Sequence, residues 1–552
     1  MLANNSKVTR RSFLKGTAFG ALGAVGAGAL SGCQPNQPSS SQVSDLAHAG
    51  EPSFMTPPEP IDPADTDEQK TTDVLIIGGG IGGLITATSC LENNLDVIVL
   101  EKNEEPRWIG CDFGFVNPSA VLEAGVEPVD PYLATRDFVE KSGHRTCVDV
   151  AYRFMTRSGE AADWFTDKCA SWGLYPIVMN YRGNCDFYRN YTHVVRYQPE
   201  ENTPENVYEN LKHMLDSMID ELEQAGGAYL RKTTATQLVK DGDRITGAIC
   251  EASDGSTIYI EGTHGVVLAT GDYAGNEEMF NYYSEWTSDD IDWNESTGLG
   301  EGHQLGLWAG AQMQSRPHPM MLFYEPHSYH FLRVNKHGKR YVNEDTGYLG
   351  GNVSILRQPD HISWVIFDDN WRETIPQSIP YGGGMGWDQD MRTLGREWSV
   401  GEEEALLDYD REEGYLVEAD TLEELADAME LEGTAKQQLL DTVKRYNSLA
   451  DNGLDEDFGK RPELLQLSRI VKPPFYALKQ LTDLGVSCGG LMTDVDSRIL
   501  DPDGLPIDNL YGIGLVTGSL FGVDYNEITV PGISLGRNIT FGWLLGKYLA
   551  QA

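Results

Sequence analysis

A chain of 552 residues with 40% hydrophobic and 10% aromatic content is long enough for two or three cores and has the make-up of a globular enzyme. Its formal charge of −42 repels phosphate backbones, which argues against a nucleic-acid partner, and suits a solvated acidic surface that aids solubility, with steering of a basic redox partner as the alternative. Its eight cysteines form no C-x-x-C pair, which leaves haem attachment, zinc ribbons and cysteine-ligated iron–sulfur clusters without support.

Residues 9–16 read TRRSFLKG and lead into a Gly/Ala-rich apolar run that ends in Leu30-Ser31-Gly32-Cys33. The run is too short and too weakly apolar to span a bilayer stably. Arg10 and Arg11, followed by Phe13, Leu14 and Lys15, resemble a twin-arginine export signal, and residues 30–33 resemble a lipobox. Residues 1–33 are therefore expected to send the folded chain to the extracytoplasmic face of the cell membrane, with a lipid anchor at Cys33; an ordinary signal cleaved nearby is the alternative. Residues 34–70 carry seven prolines and seven acids, too little apolar surface to fold, and are read as an extended tether.

The next stretch, DVLIIGGGIGGLITATSCLENNLDVIVLEK (73–102), predicts a buried strand over Val74–Ile77, a helix over Leu84–Leu91 and a second strand over Val97–Leu100. Between the first strand and the helix lies Gly78-x-Gly80-x-x-Gly83. Gly78 permits the tight turn, Gly80 lets a pyrophosphate approach the backbone, and Gly83 lets helix and strand pack closely. The helix N-terminus offers free N–H groups and partial positive charge, and Glu101 can accept from a ribose. Two further strands ending in Gly-rich turns occur at GVVLATGDYAGN (265–276) and YGIGLVTGSLFGVD (511–524), and GISLGRNITFGWLLGKYLA (532–550) predicts a last helix. The nucleotide domain is thus split along the chain, which suits FAD better than NAD. The last helix can present its N-terminus to the pyrimidine edge of a flavin, where it would stabilise negative charge.

The expected organisation is α/β: a Rossmann-like FAD-binding domain (71–315 and 466–552), interrupted by an α+β capping domain (316–465). The cap contains the strand-like WVIFDDNW, helices over TLEELADAMEL and residues 435–450, and YGGGMG, read either as a lid or as a surface loop. The expected FAD contacts are Gly78, Gly80, Ile81, Gly82, Gly83, Glu101, Lys102, Thr270, Gly271, Thr517, Gly518, Ser534 and Leu535. No metal site is expected.

Five stretches resemble the flavoprotein subunits of the fumarate reductase and succinate dehydrogenase family, which includes flavocytochrome-type fumarate reductases and 3-ketosteroid Δ1-dehydrogenases. They are DVLIIGGGIGGL, VVLATGDYAGN, TGLGEGHQLGLWAGA, GKRYVNE and the segment from GGLMTDVDSRIL to the last helix. The resemblance implies FAD that exchanges a hydride at N5 with a C–C bond beside an electron-withdrawing carbonyl. His318-Pro319 matches the family's substrate-binding His-Pro pair. Where the fumarate reductases place a general-acid arginine this chain has Tyr348, where they place a second histidine it has Gly485, and where they place a carboxylate-binding arginine it has about Thr529. Two arginines suit a dicarboxylate because each makes bidentate, charge-assisted bonds. Their loss disfavours fumarate and succinate.

A tyrosine remains a protonated donor at neutral pH, so Tyr348 is the first candidate proton donor and Tyr525 the second, with His318 as a ligand contact. Arg340 is expected to form a structural ion pair. RWIGCDFGFVN (107–117), the region that carries a flavin-linked histidine in some relatives, has no histidine, which implies non-covalent FAD. The expected function is reduction of an activated C=C bond of an enoate or enone, as a terminal step of anaerobic respiration. Electrons would come from a separate membrane or envelope donor, a cytochrome or flavoprotein. The reverse, ketosteroid-type oxidation is the alternative.

Overall fold

The computed structural model describes residues 52–108, 110–179, 191–200, 209–288, 291–293, 298–325, 330–345, 353–381, 394–523, 525 and 530–551. Arg10, Arg11 and Cys33 of the expected export signal lie outside them, as do Tyr348, Thr529 and most of YGGGMG. Ser53–Ala552 forms one compact unit.

Its first sheet has a parallel core. Strand β1 (Glu68–Ile77) lies between β2 (Val97–Leu100) and β9 (Thr257–Leu268), β2 pairs with β6 (Ala228–Leu230), and the end of β9 pairs with β17 (Pro506–Gly512). The first half of β9 instead pairs antiparallel with β8 (Arg244–Ala252), which pairs with β7 (Thr233–Asp241); β16 (Arg498–Leu500) closes the edge. Alternate residues feed two cores. Val74, Ile76, Val97 and Val99 face one, Leu75, Ile77, Ile98 and Leu100 the other, which is why these strands read as unbroken apolar runs. Helix α1 (Ile81–Glu92) crosses the first core against the last helix (α5, Ile533–Leu549). The two approach closely because a Cβ on Gly542 would lie 2.8 Å from Ile85 and one on Gly546 2.5 Å from Ser89. Behind α5 runs α2 (Val148–Ser171), with Trp164 and Trp543 rings 6.3 Å apart.

Part of the expected tether is packed on the fold: Phe54 is buried against Tyr282 and Tyr283, and β1 begins at Glu68 in pairing with β9. A small sheet of β3 (Phe113–Phe115), β4 (Tyr175–Val178) and β5 (His193–Gln198) packs on the start of α5.

The capping region is built on β15 (Phe475–Ser487), which pairs with β10 (Asp292–Trp293), β11 (Met320–Glu325), β13 (Ser363–Asp368) and β14 (Leu416–Ala419); β12 (Leu332–Asn335) pairs with β13. The expected boundary at 465 is therefore too early. The cap's central strand lies in what reads as the second FAD segment, because burial on both faces removes the alternation that marks a capping strand. Helices α3 (Leu422–Ala428) and α4 (Gly433–Asn452) cover this sheet.

Between α4 and the sheet lies a buried charge network. Arg340 donates to both Glu344 oxygens (3.0 and 2.8 Å) and to both Asp455 oxygens (3.0 and 2.8 Å), which bears out the structural ion pair expected of it. Lys460 donates to the Tyr446 hydroxyl at 2.7 Å and to the His330 carbonyl. Burial raises the Asp455 pKa, but the Arg340 bonds and the Lys460 and Phe458 N–H groups outweigh it and hold the carboxyl down at about 2. Folding thus lowers this pKa below its unfolded value of about 3.9. The stabilisation is complete above about pH 4 and is lost as the pH falls towards 2. Arg340→Met strands two buried carboxylates and is expected to cost about 3–5 kcal/mol, read as a lower denaturant midpoint at neutral pH. The gap to the parent chain should narrow as the pH falls through that window.

Candidate active site

The site is built from strand ends. At the end of β1, Gly78 has φ +114°, and a Cβ there would meet Ala269 O at 2.3 Å. A Cβ on Gly83 would lie 2.0 Å from Gly78 O, so helix and turn touch there. At Gly80, the N-cap of α1, a Cβ would meet nothing within 4 Å. The backbone at this point faces open space. With the first N–H groups of the helix beside it, this is a cradle for a pyrophosphate.

That space is a cleft of about 1,720 Å³, partly open to solvent. Of the expected FAD contacts, Gly78, Gly80, Ile81, Gly82, Glu101, Lys102, Thr270, Gly271, Ser534 and Leu535 all line it. Glu101 is buried at the end of β2 and accepts from Asn103 N and Nδ2, both at 2.9 Å. Burial raises its carboxyl pKa against these bonds. Lys102 pairs with Glu301 at 2.6 Å. The Thr270 hydroxyl is buried without a hydrogen-bond partner among the described residues. The open face of Gly80, this orphaned hydroxyl and two helix N-termini on one cleft fit FAD.

Three of the expected contacts lie elsewhere. Gly83 packs behind the turn. The Thr517 hydroxyl donates to Gly514 O at 2.7 Å, and Gly518 N donates to Leu491 O at 2.9 Å, so both sit behind the wall that Ile513, Gly514 and Leu515 form. The Thr-Gly pair at 517–518 imitates Thr270-Gly271 in sequence, but β9 ends at Leu268, two residues before its pair, and β17 ends at Gly512, five before.

Tyr525 lines the cleft and is 2% exposed. Its hydroxyl oxygen accepts from Ser534 N, in the first turn of α5, at 3.3 Å. His318 is not on the cleft. Its Nδ1 accepts from the Tyr273 hydroxyl at 2.8 Å and its Nε2 donates to Gln314 O at 2.8 Å, while its ring stacks on Tyr283 at 4.5 Å. Burial lowers its pKa to about 4, so the neutral ring is fully used, and the expected ligand contact gives way to a structural role. Tyr348 lies outside the described residues.

The cap contributes Met321, Gly485 and Val486 to the cleft, an apolar wall. Gly485 thus occupies the cleft where the family has a histidine. Several lining residues escaped sequence reasoning. Asp112 lines the cleft and accepts from buried Arg196 at 2.5 Å. Asp272 accepts from Ser487 N at 3.1 Å and from Ala274 N at 3.2 Å, tying the end of β15 to the turn after β9. Asn538 donates to Ser534 O at 2.7 Å and abuts Gly82 and Gly514. Arg537-Asn538, a polar pair in an otherwise Gly- and aliphatic-rich turn of α5, was the one available signal.

A family model described as FAD binding domain matches residues 73–526. The chain is 26% identical over 538 residues to the NADH:acrylate oxidoreductase of Vibrio harveyi, covering 82% of this chain and 48% of that protein. It is 24% identical over 512 residues to the vinyl phenol reductase of Lactiplantibacillus plantarum, covering 87% of this chain and 96% of that protein. A 3-oxosteroid 1-dehydrogenase of Mycolicibacterium smegmatis is 29% identical over 370 residues, 60% of each chain. The chain therefore spans about half the length of the first relative and nearly all of the second. Among solved structures, the open conformation of a flavocytochrome c3 fumarate reductase shares the fold with a TM-score of 0.64 at 22% identity, covering 88% of this chain and 79% of that one. The 3-ketosteroid Δ1-dehydrogenase of Sterolibacterium denitrificans does so with a TM-score of 0.63 at 19% identity, covering 87% and 100%. With a glycine cradle, an acid at the second strand and a split Rossmann-like sheet under a β-rich cap, the chain belongs to the FAD binding domain family.

Proposed function

We propose that the protein reduces the activated C=C bond of an enoate or enone with one carboxylate or none, and that a tyrosine supplies the proton. The observation that carries this reading is that an apolar cap wall, Met321, Gly485 and Val486, and the phenol of Tyr525 line the same cleft. The chemistry FAD supplies when bound is hydride transfer at N5 to the carbon β to the activating group. Tyr525 holds a proton at Oη for the α-carbon, and the Ser534 N–H fixes that oxygen. Tyr348 is the other candidate donor. The apolar wall excludes water and leaves a second carboxylate of a dianion unpaired, at a cost of several kcal/mol. The likeness to an acrylate and a vinyl phenol reductase supports small alkenes with a single activating group. The likeness to 3-oxosteroid dehydrogenases supports the second reading, the same chemistry in the oxidative direction on a ketosteroid-like ring.

FAD is held without a covalent link in this reading, and its electrons come from a separate membrane or envelope cytochrome or flavoprotein that meets an acidic surface. The Arg10-Arg11 and Leu30–Cys33 patterns support export and lipid anchoring. Among the described residues no helix is long and apolar enough to cross a membrane, so attachment in this reading falls to Cys33.

Gly80→Val projects into the cradle from a Cβ with no protein atom within 4 Å, so the purified variant should be folded but colourless, with its melting temperature matching that of the parent stripped of FAD. Yellow protein would remove the pyrophosphate from this turn. Tyr525→Phe should keep FAD and slow turnover about tenfold or more; an unchanged rate, with Tyr348→Phe slow instead, would transfer the proton to Tyr348. With reduced viologen as donor under anaerobic conditions, enoates and enones should restore the oxidised absorbance and fumarate should not. Bleaching by a saturated ketosteroid would favour the oxidative reading, and silence towards every small molecule would defeat both.

A further inference from the structure

Arg537 is the most anomalous side chain in the fold. It lies one turn into α5, is 2% exposed, and none of its three guanidinium nitrogens has a hydrogen-bond partner among the described residues. An unpaired buried cation is costly, and among the described residues no carboxylate bonds to it. Asp494 borders the same small cavity, but its carboxylate is engaged by Arg498 at 2.6 and 2.7 Å. The guanidinium lies 4.8 Å from the ring centre of Phe521, which is 5.1 Å from that of Tyr525. The titratable groups that interact with it are the buried Cys488 thiol and the Tyr525 phenol. Tyr525 borders the cleft and Arg537 does not. The Tyr525 oxygen already takes the Ser534 N–H from the first turn of the helix that carries Arg537.

We propose that Arg537 is a positioning residue for proton transfer, a counter-ion in waiting that stabilises the phenolate of Tyr525. It rests on the reading of Tyr525 as the proton donor. Hydride addition at the β-carbon leaves an electron pair on the α-carbon. That pair takes the proton, the Oη–H bond breaks, and a new C–H bond forms. Oη keeps the bonding pair as phenolate, held by the Ser534 N–H at a helix N-terminus with the guanidinium beyond the Phe521 ring, until solvent returns a proton. A cation without a hydrogen-bond partner among the described residues suits this role, because its stabilisation is realised mainly when the negative charge appears.

The test is a tyrosinate absorbance titration of the FAD-loaded protein, with the Tyr525 contribution isolated as the difference from Tyr525→Phe. In Arg537→Met the Tyr525 midpoint should rise by about one pH unit or more, a tenfold loss of acidity, while Arg537→Lys stays near the parent value. Met removes an unpaired buried charge, so the fold should be at least as stable; Arg537→Gln serves as a second neutral variant. Turnover should fall about tenfold in the neutral variants with KM unchanged, and recover in the lysine variant. An unmoved midpoint overturns the proposal. So does a KM that rises only for carboxylate-bearing substrates while the midpoint holds, which would make Arg537 a receptor for substrate anions. If Tyr525→Phe proves fully active, the donor assignment falls, yet the midpoint shift still decides whether Arg537 acts on Tyr525.

Discussion

The close contact of two glycine-lined helices organises this molecule. Because α1 and α5 approach to backbone distance, the strand ends that precede them converge, and both N-termini open onto one cleft. Their partial positive charges both fall on it, one at the Gly80 cradle and one beside Tyr525 and Ser534. A dinucleotide with a phosphate-bearing middle and an electron-accepting ring can use both. Any side chain at Gly542 or Gly546 would separate the helices and with them the two halves of the site.

The second organising feature is the uneven treatment of buried charge. In the cap, Arg340 meets two carboxylates with four short bonds, so its desolvation is offset. In the FAD-binding region, burial leaves Arg537 without such offset and draws its pKa down to about 10, still charged at neutral pH. The first arrangement holds a domain together. The second makes no hydrogen bond among the described residues, which is why it points to chemistry.

Sequence reading captured what local physics dictates. The β1–turn–α1–β2 unit and its glycines were legible because each residue answers a steric demand within a few positions. So was Arg340, whose partner Glu344 lies one helical turn away in sequence. Thr517 and Gly518 misled because a Thr-Gly pair says nothing of how far a strand runs before it turns. His318 misled because its true partners, Tyr273 and Gln314, are brought to it only by the fold. β15 was assigned to the wrong domain for a related reason: a strand buried on both faces carries no periodicity to declare its neighbours.

β15 has a further importance. Its body is hydrogen-bonded into the cap sheet, while its end, Gly485–Ser487, reaches the cleft and is pinned by Asp272 to the sheet that carries the cofactor turn. One strand therefore transmits the packing of a distant layer to the surface that a reacting double bond would meet. Repacking the aromatic rings of the cap therefore has a covalent path, along one strand, to the wall of the cleft.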